Sequence, residues 1–453
     1  MRIGTRKLID RSFSGLGFFS VALMGLAVLV ILAPIITRGL GAFVFKGTVE
    51  FRRMQLENFE RGHREAIEKE ILQAAAARKP VYAMIETFKS EIDSMKINEK
   101  LRYRKQLKEV EGDIAVLLGP KPGDPRRVLP RQQYGQTRWD RAQVKLRQVI
   151  FRTEYDYSDT ASMGTEVFVP RANDFAGTAL AGLFPYLEEH IEEMLAPRIT
   201  FYPRFLSDIS IDSHLFGGIR AEVLGTLFLA IGAMFFALPM GVLSAVYLVE
   251  YSREGRIISL LRTCVSTLAG VPSIVFALFG LAFFINTMKV TESKSVLAGS
   301  LTLACLILPT VIRASEEALR AVPNTYREAS MSLGAGKWRT IVTVVLPAAI
   351  PGILTGTVIS LGRAAGETAP IIFTAAVSVG EPLNLFKAKF WEVLSQPTPA
   401  LPWNIYNLCT EHEAVDEIRH VQYGMVLTLV LLVLVLNTTA IIMRARISRK
   451  LKG

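Results

Sequence analysis

Six stretches of this 453-residue chain are uncharged and long enough to cross a bilayer, and that recurrence restricts its fold more than any other feature. They are Phe18–Ile36, Val223–Val249, Thr263–Met288, Ser295–Ile312, a Pro-interrupted stretch beginning near Thr340, and Val421–Met443. An apolar run of this length is costly to keep in water and can satisfy its backbone polar groups in lipid only as a helix. Six crossings return both ends of the chain to one side. Hydrophobic residues make up 50% of the chain and charged residues 21%, a mixture that implies membrane spans joined to a polar portion.

The loops give the orientation. Arg2, Arg6, Lys7 and Arg11 precede the first stretch; Arg253 and Arg256, then Arg313, Arg320, Arg327, Lys337 and Arg339, then Arg444, Arg446, Arg449 and Lys450 share that side. The opposite segments are balanced by acids, with Glu292 between Lys289 and Lys294, and a run of Glu411, Glu413, Asp416 and Glu417. The positive side is the cytoplasmic one, so both termini are expected there. The first stretch has the charge flank of a signal peptide without its small-residue cleavage pattern, and reads as a retained span. This bias accounts for the net charge of +11, and no basic stripe carries the interleaved aromatics of a nucleic-acid surface.

The sequence divides into a cytoplasmic N-terminus and first span (1–45), an extracytoplasmic domain (46–215), a membrane domain (216–445) and a cytoplasmic tail (446–453). Within 46–215, Glu57–Arg78 and Val81–Asn98 have helical spacing with Pro80 between them, Gly119–Pro125 is a loop, and Val167–Val169 and Ile199–Tyr202 are candidate short strands. No catalytic constellation is present in it, and its charge-laced helices indicate a structural or docking domain over a ligand-binding one. Cys264, Cys305 and Cys409 form no metal or disulfide pattern, and His412 and His420 have no zinc-ligand spacing. No HExxH or GxSxG is present, which argues against an intramembrane hydrolase. No cofactor is expected.

The loop after the fourth span carries the most specific pattern: Glu328-Ala329-Ser330, three residues, Gly334, nine residues, then Val344-Val345-Leu346-Pro347. Asn324–Leu333 has the composition of a short amphipathic helix capped by Asn324, with Gly334 supplying the left-handed turn that ends it. Gly334-Ala335-Gly336-Lys337 imitates the end of a phosphate-binding loop, but Met331 and Trp338 stand where the first Gly and the Ser or Thr belong. The chain therefore has no ATP site of its own there.

In spacing this loop is similar to the EAA signature of ABC importer permeases, with Ser330 for the second Ala and Val344 for Ile. Leu361–Thr374, containing Gly366-Glu367-Thr368-Ala369-Pro370, resembles the PstA-type permeases of phosphate importers, with Gly362 in place of Ala. Ile312–Pro323, Val271–Val275 and Ala400–Tyr406 match the same family, a subset of which has a long insert after the first span. The resemblance covers about residues 216–445. It implies an all-α membrane protein of six transmembrane helices with a type I (MetI-like) permease core and a mainly helical extracytoplasmic domain, in the cell inner membrane. The chain is then a transporter subunit and not an enzyme, with ATP hydrolysis on another subunit. Implied partners are a PstC-like second permease, a PstB-like ATPase dimer and a PstS-like periplasmic phosphate-binding protein. Glu328, Ala329, Ser330, Gly334, Leu346 and Pro347 are the implied ATPase-coupling residues.

Arg363 and Glu367 are four apart and share a helical face. If the fifth span starts near Pro347 and Pro351, it centres near Arg363 and holds both charges within the bilayer. Two readings stand: a pair lining a substrate path, for which Arg's planar donors suit phosphate, or a structural ion pair, placed at the outer surface if Pro370 ends the helix early. Arg313, also highlighted by the resemblance, is the third pathway candidate, or an interfacial anchor at the cytoplasmic end of span four. A permease for another oxyanion such as molybdate or sulfate, and a receptor signalling without transport, are the competing functions.

Overall fold

The computed structural model describes residues 3–119, 121–123, 129, 134, 136–156, 165–383, 390–412, 415 and 417–452. Arg2, Glu413 and Asp416 of the charge pattern, and Pro120, Asp124 and Pro125 of the expected loop, lie outside the described residues. The chain separates into two units, Gly41–Pro203 and a membrane unit made of Met1–Leu40 with Arg204–Gly453.

The first helix, α1 (Ile3–Leu40), contains an apolar span from Ser12 to Leu40 that is the least buried of the spans. The Gly41–Pro203 unit follows with β1 (Val44–Gly47), α2 (Val49–Phe59), α3 (Arg64–Ser94), α4 (Ile97–Leu118), α5 (Trp139–Ile150), β2 (Phe151–Asp156), β3 (Thr165–Pro170), α6 (Leu183–Leu195) and β4 (Arg198–Phe201). Its core is helical. Val81, Ile85, Phe88 and Ile92 repeat at helical spacing on one face of α3 and pack against Leu107, Val110, Ile114 and Leu117 of α4 and Leu183, Leu187, Ile191 and Met194 of α6. Phe88 meets Phe175 edge to face at 5.6 Å.

The expected helix break at Pro80 is not where the chain breaks. Pro80 lies inside α3, whose buried face runs on both sides of it from Ile67 to Ile92, so packing holds the helix through the lost hydrogen bond. The break falls instead at Glu60, in the left-handed region with φ of 54°, before α3 begins at Arg64. The two candidate strands are present as β3 and β4.

The membrane unit resumes with a small ribbon, β5 (Ser210–Ile211) paired to β6 (Phe216–Gly217), and then α7 (Arg220–Val246), prolonged by a π-turn at Tyr247–Tyr251. The third expected crossing is bent. Thr263–Met288 is divided between α8 (Arg256–Ala269) and α9 (Ser273–Gly280, with a π-turn to Thr287), inclined at 99° to each other. Pro272 has no N–H to donate and biases Val271 toward extended backbone, so the helix stops at Gly270 and restarts.

Then come α10 (Val296–Arg320), α11 (Asn324–Ser332), α12 (Lys337–Thr340), α13 (Leu346–Gly366), α14 (Ala369–Thr374), α15 (Phe390–Ser395), α16 (Leu401–Thr410) and α17 (Arg419–Lys452). A π-turn at Ile341–Val345 joins α12 to α13, giving a span from Lys337 to Gly366. Among the described residues, five helices are long and apolar enough to cross a membrane, and the bent pair makes a sixth if it counts as one span. The protein is thus a mainly helical, multi-pass membrane protein.

The most buried span, α10, lies at the centre of this unit. It runs antiparallel to α13 at close range: Gly352 faces Ala318 and Gly356 faces Ala314, and a Cβ on Gly356 would stand 2.1 Å from that of Ala314. Small residues at such crossings let two helices in lipid gain dispersion contact along their backbones.

Candidate functional site

The loop between α10 and α13 is built on one arginine. Arg327 of α11 donates from Nε and Nη2 to Oε1 of Glu250, at 3.0 and 2.7 Å, and from Nη1 and Nη2 to the carbonyls of Val322 and Leu319, at 2.7 and 2.9 Å. Glu250 belongs to the π-turn that ends α7, and Leu319 to the last turn of α10, where unpaired carbonyls favour a cation. One planar guanidinium therefore clamps α11 to the ends of two spans. The Ser330 hydroxyl bonds that of Thr340 at 2.9 Å, which ties α11 to α12.

Clamped from below, α11 buries no residue of its own. Glu328 and Ala329 are exposed, and beside them Tyr326, Met331, Leu333 and Trp338 stand open, Leu333 at 90%. Gly334 has φ of +84°, the left-handed position expected of it, and its neighbour Ala335 donates back to the Ser330 carbonyl. Asn324 is not the cap. Pro323 holds that place in extended backbone, and Asn324 is the first helical residue, its Oδ1 accepting from Arg327 at 3.3 Å. Leu346 and Pro347 occupy the first turn of α13, and Leu346 packs against the cluster of Val345, Ala349, Ile353 and Leu319.

At the other end of α13, Arg363 Nε and Glu367 Oε1 are 3.1 Å apart. The helix does not centre on Arg363: it begins at Lys337, ten residues ahead of Pro347, and ends at Gly366, so Arg363 sits in its last turn. Glu367 is extended, with ψ of 132°, and Pro370 opens α14, where the missing N–H leaves no bond to continue the helix. The depth of the pair follows from its neighbours. Carrying the Gly356–Ala314 register seven residues further sets Arg363 level with Ile307, near the middle of α10. Gly362 likewise faces Asn437 and Val433, near the middle of α17, and Asn437 Oδ1 is buried without a partner. Thus α13 stops partway along its neighbours and leaves an ion pair at their mid-length, with the Arg363 side chain 37% exposed.

Arg313 lies two turns before the end of α10 rather than at that end. It donates to the Ser266 hydroxyl of α8 and, with Arg262, Glu316, Glu317 and Arg320, lines a cleft of 270 Å³. Arg262 bonds Glu316 at 2.9 Å across that cleft. Along the axis of α10, Arg313 is about 9 Å from the level of Arg363. The structure accordingly groups Glu328, Ala329, Ser330 and Gly334 on one loop and Arg363 with Glu367, but does not bring Arg313 to that pair.

Two polar assemblies give no warning in the sequence. Glu250 and Arg327 are 77 positions apart, and the only hint is that Arg327 adjoins Glu328. His214, Glu222 and Asn404 form a buried set in which Glu222 Oε1 meets His214 Nε2 at 2.7 Å and Asn404 Nδ2 at 3.1 Å, joining α16 to α7.

Comparison with known proteins places these features. Residues 237–453 match the family described as binding-protein-dependent transport system inner membrane component. The chain is 40% identical over 234 residues to the phosphate transport system permease protein PstA 1 of Mycobacterium tuberculosis (strain CDC 1551 / Oshkosh), covering 52% of this chain and 73% of that one. It is 38% identical over 237 residues to the phosphate transport system permease protein PstA of Mycobacterium leprae (52% and 74%), and 32% identical over 248 residues to the probable ABC transporter permease protein YqgI of Bacillus subtilis (52% and 80%). The chain belongs to the binding-protein-dependent transport system inner membrane components, as a PstA-type permease of an ABC importer.

Proposed function

We propose that this chain is one half of the translocation pathway of an ATP-driven phosphate importer, with α11 as the element that a separate ATPase subunit grips. The observation that carries this reading is the Arg363–Glu367 pair, partly exposed at the mid-length of α10 and α17. A charged side chain at the centre of a bilayer costs about 2.5–3.5 kcal/mol on insertion scales, so such a pair is expected to face a polar path or a partner rather than lipid. A guanidinium with free donors there can bind two oxygens of an oxyanion at once. The names of the mycobacterial relatives favour phosphate among the oxyanions.

Coupling is the second half of the proposal. Nucleotide-driven closure of an ATPase dimer would pull on α11 through Tyr326, Met331 and Leu333, and the Arg327 clamp would carry that motion into α7 and α10. In this reading the cytoplasm holds both termini and α11, the Gly41–Pro203 unit is extracytoplasmic, and the partners are a PstC-like permease, a PstB-like ATPase dimer and a PstS-like binding protein. Uptake of radioactive phosphate, molybdate and sulfate by cells with and without the chain tests the substrate. Loss of phosphate uptake alone is the expected result, and unchanged phosphate uptake overturns it. Purification of the chain from its native membrane tests the partners, since an assembly without a nucleotide-hydrolysing subunit removes the coupling role.

A further inference from the structure

The ribbon formed by β1 and β4 leaves three large apolar side chains of one face open, which a two-stranded ribbon standing in water has no reason to do. It pairs Val44 with Phe201 and Lys46 with Ile199. Its inner face is spent within its own unit: Phe45 packs edge to face on Phe51 at 5.0 Å, Phe51 packs on Tyr202, and the buried Arg138 guanidinium stacks 4.0 Å above the Phe45 ring while donating to the Gly41 carbonyl. The outer face carries Val44, Ile199 and Phe201, which are 48%, 79% and 71% exposed, together with exposed Lys46.

Covalent reach identifies what this face can meet. Val44 is four residues beyond Leu40, the last residue of the α1 span, so the ribbon starts within about 14 Å of the point where the chain leaves the bilayer. Tyr423 falls beside that level, its hydroxyl accepting from Arg38 at 2.7 Å, and tyrosines are enriched where spans meet the membrane interface. The return strand ends at Phe201, and the membrane unit resumes at Arg204 with Leu206 and Ile209 also exposed.

We propose that the outer face of the β1–β4 ribbon lies in the headgroup region of the leaflet from which α1 emerges, with Ile199 and Phe201 among the upper acyl carbons and Lys46 reaching the lipid phosphates. Burying apolar side chains at that boundary while a lysine stem extends to the charged layer is the arrangement of interfacial membrane anchors. The contact does not depend on which substrate the permease carries.

The test uses the full chain in lipid nanodiscs, with Cys264, Cys305 and Cys409 replaced by Ser and an environment-sensitive fluorophore attached to Phe201→Cys. A second protein labelled at Ile97→Cys is the control. Ile97 follows the end of α3, and α3 runs for about 36 Å beyond Glu70, the partner of Arg198 in the ribbon. Loss of fluorescence with spin-labelled lipid at position 201 but not at 97, and shielding of 201 from aqueous iodide, are expected. Iodide quenching at 201 without lipid quenching overturns the proposal. So does protection that develops only when a second permease chain or the binding protein is added, which would assign the face to that protein.

Discussion

Arg327 and Glu250 lie 77 positions apart in the chain, yet two nitrogens of the guanidinium converge on one oxygen of the carboxylate, at 2.7 and 3.0 Å. Both side chains are largely withdrawn from solvent, at 15% and 8% exposure. Removing either partner strands the other charge, which typically costs about 3–5 kcal/mol when a pair is buried. Arg327→Leu and Glu250→Leu should each sharply reduce phosphate uptake while the subunit stays in the membrane. Measuring ATP hydrolysis by the purified importer alongside uptake tests the clamp. Normal uptake in both variants would reduce the pair to a surface contact.

Gly334 turns the chain with φ of +84°, a conformation that costs an L-residue about 1–2 kcal/mol. Glu328 is exposed on the helix that this turn ends. If α11 is the element that an ATPase grips, as proposed, Gly334→Trp and Glu328→Lys should abolish uptake and weaken co-purification of the ATPase, because one strains the turn that ends α11 and the other reverses a charge on its exposed face. A full complement of ATPase on either variant would count against docking at α11.

Replacing one member of the Arg363–Glu367 pair leaves a lone charge at the mid-length of two neighbouring helices. Arg363→Gln and Glu367→Gln should each impair phosphate accumulation, and the double variant, which strands no charge, should insert normally and still fail to transport. Uptake restored in the double variant would make the pair structural only.

In the Gly41–Pro203 unit, Phe88 is fully buried against Phe175 and Tyr103. Phe88→Ala should destabilise that unit by about 3–5 kcal/mol. Limited proteolysis of the full chain should then show cleavage within 41–203 at lower protease concentration, with the membrane spans unaffected.

Much of the membrane architecture was legible because lipid enforces a simple rule. A run such as Phe18–Ile36 or Val421–Met443 has to be helical whatever surrounds it, and α1 and α17 are found there. The pattern from Glu328 to Pro347 was legible for a similar reason, since each element of it, including the left-handed Gly334, acts over a few residues. Pro80 and Pro272 show the limit of such local signals. Both remove a backbone donor, but the continuous buried face of α3 overrides the first, while at Gly270–Pro272 the chain bends by 99°.

By itself the amino-acid sequence determined the spans other than the bent third one, the turn at Gly334 and the mismatch of Gly336-Lys337 to a phosphate-binding loop, because these depend on hydrophobicity and backbone freedom within short stretches. Tertiary structure alone decided that Arg327 holds α11 to Glu250, that α13 ends at the mid-length of α10, and that Arg313 stands apart from Arg363. Those relationships join residues distant in sequence, through packing registers such as Gly356 on Ala314 that no local periodicity encodes.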